Sequence, residues 1–169
     1  MNSLYCGLGD AESTFKVYIA NRPPLDEYQQ LTSMFALPSG EIARIAQLTG
    51  NHWRKIFNVY AKLVFDLDSQ GLASWQQYRE DFLLQKHSKQ ALLFSKPDLG
   101  QSGLHLVMGR SYAKTLELEA KLLAVDADFQ VDPNKRLIVT PYFDYRQLSN
   151  EKLARLRSLI VSLSSGLSD

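Results

Sequence analysis

Cysteine is nearly missing from this chain: Cys6 is the only one in 169 residues. A single thiol excludes an intramolecular disulfide and a multi-cysteine metal or iron–sulfur site. It suits a reducing compartment, so a cytoplasmic location is expected. An excess of charge of one sign is missing as well. Lys and Arg number 19 against 18 Asp and Glu, for a formal net charge of +1. No global field therefore draws the chain toward nucleic acid or an anionic membrane, and only a local basic patch would. No apolar run approaches the roughly 20 residues needed to cross a bilayer, so no membrane partner is expected. The opening MNSLYCGLGDAEST has neither a basic n-region nor a long apolar stretch, and no signal peptide is expected.

Familiar catalytic spacings are missing too. The three histidines, His52, His87 and His105, form no HxxxH or HExxH pattern, so no metal is expected. No serine sits in a G-x-S-x-G elbow. Neither G-x-G-x-x-G nor G-x-x-x-x-G-K-[ST] occurs, which disfavours dinucleotide and P-loop sites, and no cofactor is expected. The glycines of GLGDAE (7–12) precede the first apolar run and read as a flexible turn.

What is present is an ordinary globular composition, 45% apolar and 22% charged, on a length that suits one domain. Four short apolar runs read as strands: FKVYIA (15–20), stopped by NRPP (21–24), then ALLF (91–94), LHLVMG (104–109) and RLIVT (136–140). Between them lie helical segments. SGEIARIAQL (39–48) has a Ser/Gly start. From Asn51, the residues Trp53, Ile56, Phe57, Tyr60, Leu63, Val64 and Leu67 recur at three- and four-residue steps, which predicts a strong amphipathic helix. SWQQYREDFLLQ (74–85) follows with Ser74 as N-cap. RSYAKTLELEAKLL (110–123) and SNEKLARLRSLIVSL (149–163) are the last two, the latter capped by Ser149 or Asn150. DADFQVDPNK (126–135) reads as a polar stretch with a tight turn at Pro133–Asn134. Continuously apolar strands alternating with helices predict a single three-layer α/β/α domain around a four-stranded, mostly parallel sheet.

Such sheets carry ligands at the carboxyl ends of their strands. Three of the four exits hold a base, Arg22, Lys96 and Arg110, and Arg146 follows the fourth. With the helix starts at Ser111 and Ser149 they would hold a phosphate or carboxylate; solvated loop bases are the competing reading. Asp26 and Asp144 would serve acid–base chemistry if the first and fourth strands lie close, whereas an acid paired with a neighbouring Arg is the simpler account. His52 reads as a helix-start cap or a packing residue. The loop TPYFDYRQLSN (140–150) concentrates Tyr142, Phe143 and Tyr145, which should pack inward, stack on a flat ligand or face a partner. Inward packing of at least two comes first, with Tyr142 or Phe143 as a ligand wall second.

In this order the features resemble the uracil-DNA glycosylase superfamily over residues 15–160. IANRPP (19–24) stands where that family's first strand carries a G-E-x-P-G-like motif, with Asn21 in place of the acid. LVMGRSYAKTL (106–116) is similar to its V-x-L-G-x-x-A-x-x-x-L segment. VTPYFDYRQLSNEKLARL (139–156) stands at its H-P-S loop and final helix, with Tyr142 at the histidine and Asp144 at the serine. The PYFDYRQLSN segment also resembles one from an uncharacterised bacterial family. The glycosylase resemblance implies a nucleobase, nucleotide or DNA partner, with Asn21, Tyr142 and Asp144 as catalytic candidates. Arg22, Lys96, Arg110, Ser111, Phe143 and Arg146 would contact the ligand. Departures at Asn21 and Tyr142 leave a pseudo-enzyme, a small-anion binding module and a protein-interaction domain as alternatives.

Overall fold

The computed structural model describes residues 5–165. All four apolar runs are strands, and their neighbours in space are each other. In chain order the elements begin with β1 (Gly7–Gly9), β2 (Phe15–Tyr18), α1 (Asp26–Gln29), β3 (Met34–Phe35), α2 (Glu41–Thr49), α3 (Asn51–Leu67) and α4 (Trp75–Asp81). They continue with β4 (Gln90–Leu93), β5 (Leu104–Met108), α5 (Arg110–Leu116), β6 (Leu123–Ala124), β7 (Gln130–Asp132), β8 (Leu137–Thr140) and α6 (Asn150–Ser165). The strand order is β3-β1-β4-β2-β5-β8-β7-β6. The central run β4-β2-β5-β8 is parallel throughout. Antiparallel pairing of β1 with β4, and of β7 with β8 and β6, makes the sheet mixed.

The expected four-stranded sheet is thus corrected to eight strands among the described residues. The added four are only two or three residues long, too short for a period-2 signal to register. The first of them replaces the expected flexible turn at Gly7–Gly9. A Cβ at Gly7 would lie 2.3 Å from the Leu92 carbonyl oxygen, and one at Gly9 would lie 2.2 Å from that of Gln90. The glycines are there so that β1 can press against β4. The expected polar stretch at 126–135 also contains a strand, β7, beside the fully buried Phe129. Its end is the expected turn: Asp132 accepts from the backbone N–H groups of Asn134 and Lys135.

Alternation along the strands sends side chains to two cores. Val17, Ile19, Leu92, Leu106 and Ile138 join one with Trp53, Ile56, Phe57 and Tyr60 of α3 and Leu153, Leu156 and Ile160 of α6. Tyr18, Leu93, Val107 and Val139 join the other with Ala113, and Tyr112 and Leu116 of α5 pack on it. The three layers are therefore unequal, with one short helix on the second face. α3 dominates the first face. Each fully buried large apolar side chain is worth about 1.5–3 kcal/mol of transfer free energy before entropy is counted. Its Tyr60 hydroxyl also donates to the Ala91 carbonyl at 2.9 Å, which fixes the helix over β4.

Helix ends follow local chemistry. Ser74 accepts from the Gln77 N–H at 3.1 Å, as a cap should. Ser149 accepts from the Lys152 N–H at 3.4 Å, so it rather than Asn150 caps α6. The expected helix at 110–123 stops at Leu116, because Glu117 takes a left-handed conformation at φ 49°. The expected helix at 74–85 stops at Asp81, and Leu84 is likewise left-handed at φ 58°. No Gly or Pro marks either stop.

The register aligns Tyr18, Val107 and Val139, so the exits of β2, β5 and β8 stand abreast. From β2 the chain crosses to β4 on one side and returns to β5 on the other. Their shared boundary is the topological switch point, where open parallel sheets leave a crevice.

Candidate functional site at the strand ends

A cavity of about 630 Å³ lies at that crevice. Its apolar lining comes from the strand ends: Ala20 after β2, Met108 and Gly109 at the end of β5, and Pro141 after β8. The first turns of α5 add Arg110, Ser111, Tyr112 and Thr115. Thr140, Tyr142 and Gln147 close the β8 side, and Ala127 and Asp128 form the rim before β7. A volume of this size, mostly apolar with a few convergent polar groups, is the ordinary form of a small-molecule site.

Beside it, three side chains from distant parts of the chain meet. The Asn21 side-chain amide donates to the Tyr142 hydroxyl at 3.2 Å. His52, on the first turn of α3, brings its Nε2 to 2.9 Å from the same oxygen. The His52 and Tyr142 rings also stack, with centroids 5.7 Å apart and an interplanar angle of 21°. Burial pushes the Tyr142 pKa up to about 12, and the nearby Asp144 carboxylate works in the same direction. The hydroxyl therefore stays protonated at neutral pH and is suited to giving or sharing a hydrogen bond, not to nucleophilic attack.

The rim is held by ion pairs. Arg155 of α6 reaches Asp126 at 2.6 Å and Asp128 at 2.7 Å, and Lys152 reaches Asp128 at 3.0 Å. The Lys152 ammonium, then the Arg155 guanidinium, hold the Asp128 carboxyl below the usual carboxylate range. Arg155 also stacks over buried Phe129, 5.6 Å from its ring centroid. Arg110 of α5 ties the same rim by donating to the Ala127 carbonyl at 2.7 Å. The cavity lining therefore holds one guanidinium already bound to a carbonyl and one carboxylate already neutralised.

The structure brings some sequence candidates together and separates others. Asn21 and Tyr142 meet, and Tyr142, Arg110 and Ser111 share the cavity. Arg22 turns away: it donates to the carbonyls of Tyr28, Gln29 and Leu31, closing the end of α1, and stacks on Phe94 at 5.2 Å. Lys96 is exposed and borders a separate cleft with Glu117, Glu119 and Lys135. The expected gathering of bases at all four exits is thereby corrected, since Arg110 is the one base in the cavity lining. Phe143 is fully buried and packs edge-on against Tyr60 at 5.8 Å, so it is core and not a ligand wall. Asp144 accepts from the Arg146 backbone N–H and pairs with Lys55 of α3 at 3.6 Å, so its ion-pair partner is a lysine and not the neighbouring Arg of the simpler expectation. Asp26 starts α1 and is exposed. Arg146 is exposed and outside the cavity lining. Tyr145 is 54% exposed, so two of the three loop aromatics pack inward in whole or part and one does not.

His52, expected as a helix-start cap or a packing residue, stacks on Tyr142 and bonds its hydroxyl. Gly50 stands at the N-cap of α3 with no side-chain cap bond, so His52 does not cap the helix, and its partner lies 90 residues away. Thr140, Gln147 and the 127–128 rim were also missed, because the rim's closeness to the exits depends on the β7–β8 pairing.

Among the described residues no helix is long and apolar enough to cross a membrane. The model of a family of unknown function (DUF6942) matches residues 6–161. The chain belongs to that family. No curated protein and no solved structure matches it.

Proposed function

We propose that this chain, a member of a family of unknown function, binds a nucleobase or the base of a nucleotide in its strand-end cavity. The carrying observation is the hydrogen bond from Asn21, past the end of β2, to Tyr142, past the end of β8, beside a cavity of about 630 Å³. The resemblance to uracil-DNA glycosylases aligns these same two residues with that superfamily's first and last motifs. In that reading Asn21 orients a water or the base edge, and Tyr142 is the donor facing charge that develops on a departing base.

The charge of the lining favours a neutral heterocycle over a phosphate. Arg110 is occupied by the Ala127 carbonyl, and the only other charged lining residue is an acid. α5 is seven residues long and adds little dipole of its own. A small-anion module would need the bases that the fold sends elsewhere. A protein-contact reading has one observation in its favour, the exposed ring of Tyr145 under the Lys55 ammonium at 4.8 Å. Sedimentation of Tyr145→Ala against the parent chain tests it, and an unchanged mass counts against self-association through this loop.

The binding reading is tested by thermal shift with free bases, nucleosides and nucleotides. A ligand at 100 times its dissociation constant adds about 2.7 kcal/mol, or roughly 5–10 °C in a domain of this size. Bases and nucleosides should stabilise at least as well as nucleotides. No shift at millimolar concentration of any of them overturns the reading. Release of uracil from single- and double-stranded DNA tests the catalytic extension. Activity that Asn21→Ala abolishes supports it, and no release rejects it.

A further inference from the structure

The Tyr142 hydroxyl has one hydrogen and two lone pairs to distribute. One lone pair takes the Asn21 amide hydrogen. What remains depends on His52. If Nε2 carries no hydrogen, the hydroxyl hydrogen points to it, and the oxygen keeps one lone pair for a third partner. If Nε2 carries a hydrogen, both lone pairs are filled, and the hydroxyl hydrogen is left to donate elsewhere. Protonating the imidazole removes the first arrangement entirely.

We propose that His52 is a positioning residue of this cavity: through Tyr142 it decides whether the ligand meets a hydrogen-bond donor or an acceptor. The inference rests on the binding reading above. It assigns the protonated form a ligand atom that accepts, such as a carbonyl oxygen, and reserves ligand amino groups for the neutral form. Few other charges complicate the switch. Lys55 on α3 and Asp144 in the β8–α6 loop are paired with each other. Across the cavity, Arg110 holds the Ala127 carbonyl and Asp128 lies between Lys152 and Arg155. Asn21 and Asn51 carry no charge. Asn21 and His52 are both exposed, so neither is itself a core residue.

The test has two arms, using wild type, His52→Gln and Tyr142→Phe. In the free protein, ring resonances of Tyr142 are followed against pH beside the imidazole resonance assigned to His52 by its loss in His52→Gln. They should inflect at the same midpoint, and the Tyr142 inflection should vanish in His52→Gln. A Tyr142 signal flat through the His52 transition overturns the inference whatever the cavity binds. In the second arm the probe is 1,3-dimethyluracil, which offers acceptors and no N–H donor. Wild type should bind it about three- to tenfold more tightly at pH 5.5 than at pH 8, the scale of one hydrogen bond. His52→Gln should show no such ratio, and Tyr142→Phe should lose it as well. Equal affinity of wild type at the two pH values, or the same ratio in His52→Gln, overturns the proposal. No binding at either pH refutes the cavity reading instead, and the first arm then decides the role of His52.

Discussion

Replacing Phe143 with alanine separates the structural and chemical halves of the loop after β8. Phe143 is fully buried, lies edge-on to Tyr60 at 5.8 Å and belongs to the larger core. Truncation removes a buried ring from water-free surroundings and leaves a void between α3 and the loop. Phe→Ala changes of this kind cost about 3–5 kcal/mol, and the edge-to-face contact accounts for roughly 0.5–1.5 of it. Against a total stability of about 5–15 kcal/mol this is a large fraction. The melting temperature should fall by roughly 6–20 °C. Tyr142→Phe, one residue earlier, deletes only a hydroxyl at a half-buried position and should cost no more than about 1 kcal/mol. Urea unfolding followed by far-UV circular dichroism measures both. A loss below about 1 kcal/mol for Phe143→Ala would refute the packing described for this loop. A Tyr142→Phe loss as large as that of Phe143→Ala would show that the hydroxyl serves stability before it serves a site.

Gly9→Ala should destabilise by about 2–4 kcal/mol in the same urea assay, from overpacking against Gln90 and a positive φ of 120°. Gly71→Ala, at φ 74° with open space around it, should cost only about 1 kcal/mol. Arg155→Ala removes two part-exposed, solvent-screened ion pairs, so stability should change little while amide exchange at residues 126–129 accelerates; unchanged exchange would mean that Arg155 does not hold the rim. Acidification should weaken the fold through His105. Burial lowers its pKa, outweighing the opposing bond from Nε2 to the Gln101 carbonyl. The unfolded chain then binds more protons than the folded one below about pH 6.5, so stability falls as pH drops from there toward the depressed folded value. Unfolding at pH 7.5 and pH 5.5 should show a smaller loss in His105→Gln than in wild type, and equal losses would contradict this assignment.

The parts legible in the sequence are those whose side chains carry the signal. FKVYIA, LHLVMG and RLIVT are mostly apolar runs because both faces of the central sheet are covered, and α3 shows its period because its buried stripe is wide. β1 was illegible because glycines build it: what qualifies Gly7 and Gly9 is the absence of a side chain facing Leu92 and Gln90. The stop of α5 was illegible because an ordinary residue, Glu117, takes a left-handed conformation there. The site was legible as a place, since strand exits follow from topology. Its membership was not, because a base at an exit can turn either way. Arg22 turns back onto the carbonyls closing α1, and His52 joins a partner that only the assembled sheet brings near.

The central claim is that the cavity at the ends of β2, β5 and β8 seats a nucleobase. Titration of isotopically labelled protein with uridine, followed by amide chemical shifts, tests it most directly. The account predicts saturable changes concentrated at Ala20–Asn21, Met108–Tyr112 and Thr140–Tyr142, reduced in Asn21→Ala. Saturable changes elsewhere on the surface, or none at millimolar uridine, would contradict it.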